Sequence, residues 1–110
     1  MKPALKALSE LIAKANDRFY AKHPKVHTLM GIMDKALRNQ GVAADAITLD
    51  CSALDRKIVF LLPDSNPDRL TVAIGNKAGD IHSSSEHDRP ELTVSQIVSL
   101  LETHLLSDNA

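Results

Sequence analysis

Between Ile81 and Asp88 the chain reads Ile81-His82-Ser83-Ser84-Ser85-Glu86-His87-Asp88, the densest run of hydroxyls, imidazoles and carboxylates in its 110 residues. Such side chains perform nucleophilic catalysis when a histidine takes the proton of a serine and a carboxylate orients that histidine. Adjacency in sequence does not create this geometry. No G-x-S-x-G elbow accompanies the run, so it reads as a mobile, polar strand-to-helix connection ahead of Pro90. Phosphorylation or anion binding would suit it better than hydrolysis. His82, Ser83, Ser84, Ser85 and His87 are the candidate residues of this loop site.

Two other groups imitate metal sites. His23 and His27 stand four apart, a spacing that can bring two imidazoles to one ion, but Pro24 occupies the place of a zincin's glutamate. Asp34 lies two turns further on and is too distant to share that ion. Asp64-Ser65-Asn66-Pro67-Asp68 resembles the opening of an EF-hand loop, yet Arg69 stands where the sharp-turn glycine belongs and Gly75 where the closing glutamate belongs. No metal and no cofactor is expected. Cys51, the one cysteine, keeps the alternating phase of Ile47 and Leu49 and reads as a buried thiol.

The elements that would position these groups can be read from periodicity. Ile47, Leu49 and Cys51 alternate with Thr48, Asp50 and Ser52, the period-two pattern of a strand with one face buried. Ile58-Val59-Phe60-Leu61-Leu62 is apolar on both faces, which predicts a central strand covered on both sides. Leu70, Val72 and Ile74 alternate with Thr71, Ala73 and Gly75 in a third strand, and a fourth is weakly indicated. These strands span about 46–52, 56–62, 70–75 and 80–84. Pro63 to Asp68 and Asn76 to Gly79 are turns, and connections this short demand antiparallel pairing.

Helices flank the strands in sequence. Leu5, Leu8, Ile12, Ala15 and Phe19 recur at steps of three and four, predicting a helix over 3–21 with Pro3 in its first turn. Val26, Leu29, Met30, Met33 and Leu37 predict a second over 24–40, closed at Gly41 by Val42 folding back on Leu37. Thr93-Val94-Ser95-Gln96 is a capping box opening a third over 94–106, with Leu92 and Ile97 as its staple. Val94, Ile97, Val98, Leu101 and Leu105 form its apolar stripe. His104 sits at the edge of that stripe, where the helix dipole favours imidazolium. The predicted fold is α+β: two N-terminal helices, an antiparallel meander of three to four strands and a C-terminal helix, in one domain of two or three layers spanning 1–110.

Composition narrows the function classes. With Phe19, Tyr20 and Phe60 the sole aromatics, the stacking platforms that bind single-stranded nucleic acid are missing. The longest apolar run is far short of a membrane span or signal-peptide core, so the cytoplasm is the default location. Residues 1–41 carry eight Lys or Arg against three acids, and residues 42–110 carry five against eleven. Lys2, Lys6, Lys14, Arg18 and Lys22 form a four-residue ladder, but each rung drifts about 40° round the helix. It reads as a solvated face, with the opposite halves helping each other dock. Weak nucleic-acid or polyanion binding is the least favoured alternative.

Surfaces remain as the carriers of function. If Ile58, Phe60 and Leu62 face the helices, the opposite sheet face presents Thr48, Asp50, Lys57, Val59, Leu61, Thr71 and Ala73, a small apolar patch with a polar rim. One of the helices, a second copy of the chain or another protein would cover it. The expected function is a small non-enzymatic interaction or regulatory module, a homodimer or the partner of another protein. The alternative is a small enzyme or ligand-binding protein with a site at the His82 to Asp88 loop or between subunits.

Overall fold

The computed structural model describes residues 2–106. Helix α1 (Pro3–Lys22) leads into a short strand β1 (Leu29–Met33) and a single helical turn α2 (Ala36–Asn39). Four strands follow, β2 (Ala44–Cys51), β3 (Arg56–Pro63), β4 (Arg69–Gly75) and β5 (Ile81–Asp88), before helix α3 (Val94–Leu105).

The two long helices form where their local signals place them. In α1, proline at the first position gives up an N–H that has no helical partner anyway, and the stripe Leu5, Leu8, Ile12, Ala15 and Phe19 is buried. The helix stops where the N–H of His23 bonds the Phe19 carbonyl at 2.8 Å, just before Pro24. In α3 the capping box closes with both bonds. Gln96 N–H donates to Thr93 Oγ1 at 3.2 Å, and Thr93 N–H donates to Gln96 Oε1 at 2.9 Å. Leu92 and Ile97, the staple pair, are both buried.

All four strand pairings are antiparallel, and the sheet order is β1-β2-β3-β4-β5. Each connection is too short for anything but a return to the neighbouring position. Strand β3, apolar throughout its middle, takes the centre. Ile47, Leu49, Ile58, Phe60, Leu70 and Val72 point to one face, where they join the buried residues of both α1 and α3 in one core. The result is two layers, helices on one side and sheet on the other.

Three expectations change. The predicted helix over 24–40 is instead the edge strand β1 and the single turn α2. The apolar spacing is met differently: Met30 lies opposite Leu49 and packs against the core, while Leu29 stays 73% exposed. Gly31 weakens any helix through this segment, and pairing with β2 satisfies a ladder that would otherwise end there. The helix's C-terminal signal nonetheless survives in α2. Gly41 has φ of +85°, and Val42 N–H bonds the Leu37 carbonyl at 2.9 Å while Gly41 N–H bonds that of Arg38 at 3.0 Å.

The second change concerns the strand count. The sheet has five strands, because β1 joins at one edge and 81–88, read as a weak strand over 80–84 and then a loop, is one strand throughout. Its ladder with β4 runs from Ile81 to Asp88, past a bulge beside Gly75. A Cβ at Gly75 would lie 2.1 Å from the Asp80 carbonyl oxygen, so only glycine fits there. Gly79 turns the hairpin at φ of +97°, as its position between Asn76 and Asp80 predicts. The third change is that β3 is covered on one face only, since both long helices pack on the same side and Val59 and Leu61 remain half-buried.

Candidate functional site

The seven residues assigned to the second sheet face do share it. Register lines them up in rows: Thr48, Val59, Ala73 and Ser84 in one, Ala46, Leu61, Thr71 and Glu86 in the next. A further row sets Asp50 beside Lys57, with a carboxylate-to-ammonium distance of 3.6 Å. The centre of this face is built from small or medium side chains, which makes it flat. Gly31 contributes to that flatness, because a Cβ there would lie 2.9 Å from Thr48 Oγ1. Ala46 and Thr48 are buried beneath their lateral neighbours. Leu29, Gly31, Met33, Ala46, Ser84 and Glu86 also lie on this face and were missed: the first three were read into a helix, Ala46 and Ser84 were terminal residues of predicted strands, and Glu86 was read into a loop.

Strand β5 separates the residues of the predicted loop site. Ser83, Ser85 and His87 lie opposite Ile74, Val72 and Leu70 on the helix side, whereas Ser84 and Glu86 turn to the open face. His82 falls at the bulge, between the paired residues Ile81 and Ser83. One catalytic-looking pair does form: Ser85 Oγ is 2.8 Å from His87 Nε2. Among the described residues no carboxylate orients His87. Asp88 is held by Arg69 at 2.7 Å, and Glu86, on the other face, lies 3.6 Å from the same guanidinium. The pair lacks the third member that nucleophilic catalysis requires.

The most strongly interacting charged group was not foreseen. Asp45, in the inward phase of Ile47 and Leu49, is 2% exposed and receives Arg38 through Nε at 3.1 Å and Nη2 at 2.9 Å. The same guanidinium bonds Asp64 with both of its terminal nitrogens, and Lys2 Nζ donates to Asp64 at 2.8 Å. Hydrogen bonds from Arg38, and then from Lys2, hold the Asp64 carboxyl well below the usual carboxylate range. Arg38 is correspondingly raised, first by Asp64 and then by Asp45. Two cations thus meet two anions, tying α1, α2, β2 and the turn after β3 together. The signal was present in the sequence: a carboxylate in the buried phase of a strand must find a cation.

The remaining candidates are occupied separately. His23 Nε2 is 2.9 Å from Glu102 Oε2, which also takes Lys22 at 2.9 Å. These bonds, His23 first, lower the Glu102 carboxyl. His27 instead lies against the Tyr20 ring at 5.5 Å, so the two histidines do not converge. Asp68 pairs with Arg89 at 3.4 Å. Among the described residues no three His, Cys, Asp or Glu side chains are grouped to hold a metal ion, and no helix is long and apolar enough to cross a membrane. Lys2 and Lys22, the ends of the basic ladder, both pair with acids of the C-terminal half. For His104 the expectation reverses: burial, and then the charge of Arg56, push its imidazole down and oppose any gain from the helix dipole. No known protein family, curated protein or solved structure matches the chain.

Proposed function

We propose that this protein is a small non-catalytic interaction module that docks another protein on the open face of its sheet. The observation that carries this reading is the one-sided placement of α1 and α3, which leaves Val59 and Leu61 half-buried at the centre of a flat face rimmed by Asp50, Lys57 and Glu86. An apolar patch with a polar rim loses water readily at its centre and sets orientation at its margin. The strongest titratable cluster is neutralised internally, which favours a structural role for it.

The test compares the wild type with Val59→Asp combined with Leu61→Asp as baits in cross-linking capture, with circular dichroism confirming the fold. A partner retained by the wild type and lost by the variant would support the reading. Identical capture by both proteins would sink it.

A further inference from the structure

Both outer strands of the sheet have one ladder partner each, so the outward N–H and C=O groups of β1 and β5 have no backbone partner among the described residues. Among the described residues no loop or helix backbone bonds to Leu29–Met33. An edge of this kind is a template for another strand unless charge, proline, a bulge or a covering element blunts it. Strand β5 carries two acids and two histidines and begins at a bulge. Strand β1 reads Leu-Met-Gly-Ile-Met and has none of these devices, only its short length. Leu29 is 73% exposed and Ile32 42%, and Tyr20, whose ring meets His27 at a tilt of 46° just ahead of the strand, is 48% exposed.

We propose that two copies of this chain pair antiparallel along β1, about a two-fold axis at Gly31. In that register Leu29 of each copy lies opposite Met33 of the other on the open face, and Met30 lies opposite Ile32 on the helix side. Every cross-strand pair is then apolar, and no charge is brought to the seam. The strand is complementary to itself, which selects a second copy over an unrelated peptide. The product is one sheet of ten strands, five from each copy, with all the long helices on one side and two open faces side by side on the other. This deepens the interaction reading, because it doubles the proposed docking face, yet it uses different residues and fails separately.

The experiment is light scattering on the full chain over a concentration series, for wild type, Leu29→Lys with Ile32→Lys, Ser83→Lys with Ser85→Lys, and Val59→Asp with Leu61→Asp. The expected result is a wild type at twice the 12.0 kDa chain mass, with association weakened at least about a hundredfold by the β1 pair and unchanged by the β5 pair. Leu29→Cys with Met33→Cys should also yield a covalent dimer on mild oxidation, a readout that does not depend on the lysine variant folding. A monomeric wild type throughout overturns the inference. So does a dimer that the β1 lysines leave intact and that the cysteines do not cross-link. If only the Val59 and Leu61 variant halves the mass, the seam is the open face and the β1 inference is overturned.

Discussion

The two edges of the sheet show how side chains, not backbone, decide what an exposed strand does. Strand β5 is eight residues long and pairs with β4 at every residue but the bulged His82, yet Ile81, at its bulged end, is its one apolar residue. Strand β1 is five residues long and wholly apolar or glycine. The longer strand offers more unpaired backbone but would bury almost no apolar surface against a partner, and hydrogen bonds exchanged with water yield little net stability. The shorter one offers both a ladder and Leu29, Met30, Ile32 and Met33. Length therefore does not rank the edges, whereas apolar content does.

Both edges ride on one core, and the largest expected effect breaks that core. Phe60, fully buried on the central strand, meets both helices' side of the sheet. Phe60→Ala should cost about 3–5 kcal/mol. Urea unfolding should still show one transition by far-ultraviolet dichroism and by proteolysis at either edge. Two separated transitions would mean that the edges belong to different cooperative units.

Removing the glycine beside each edge sharpens the contrast at a smaller scale. At Gly75 a methyl group would collide with backbone, which cannot rotate away, so Gly75→Ala should cost about 1–3 kcal/mol and loosen β5. At Gly31 the neighbour is the Thr48 hydroxyl, which can move by a few tenths of an ångström, so Gly31→Ala should cost less, about 0.5–1.5 kcal/mol. Equal urea midpoints for the two variants would contradict this ordering.

The smallest effect is electrostatic, and it concerns the connections that hold the edges to the helices. Asp64 and Glu102 have depressed pKa values, so the unfolded chain binds more protons than the folded one as acid is added. Their stabilisation is present above the ordinary carboxylate value of about 4 and is lost as pH falls below it. His104, also depressed, acts in the same direction but nearer neutrality. Stability should therefore decline in two stages on acidification. His104→Gln should flatten the upper stage, and Glu102→Gln should reduce the slope of the lower one, less so at high salt because both groups meet solvent. A profile unchanged by either substitution would show that these contacts contribute nothing measurable.

Much of the fold was legible because it follows from local rules. The stripe from Leu5 to Phe19, the capping box at Thr93, the glycine turns at Gly41 and Gly79 and the alternation in β2 and β4 each depend on residues a few positions apart. The segment from Val26 to Leu37 was misread because its spacing satisfies a helix as well as an edge strand, and nothing local reveals that β2 has a vacant ladder beside it. Strand β5 was half-read for the complementary reason: Ser83 to Asp88 has no apolar alternation, and pairing with β4 alone makes it a strand. The seven open-face residues could be grouped in advance because they share one phase on three legible strands. Asp45 could have been found by the same phase, but its partners Arg38 and Asp64 could not.

By itself, then, the sequence determined which residues point inward on each element and where the long helices and the turns begin and end, since periodicity, caps and positive-φ glycines act over one or two turns of chain. Only the tertiary structure decided that both helices take the same face, that β1 and β5 close the sheet with edges of opposite character, and that Arg38, Asp45, Asp64 and Lys2 meet. Those outcomes depend on which surfaces exclude water together and which backbone groups find partners across the fold, and neither quantity is defined until distant segments pack.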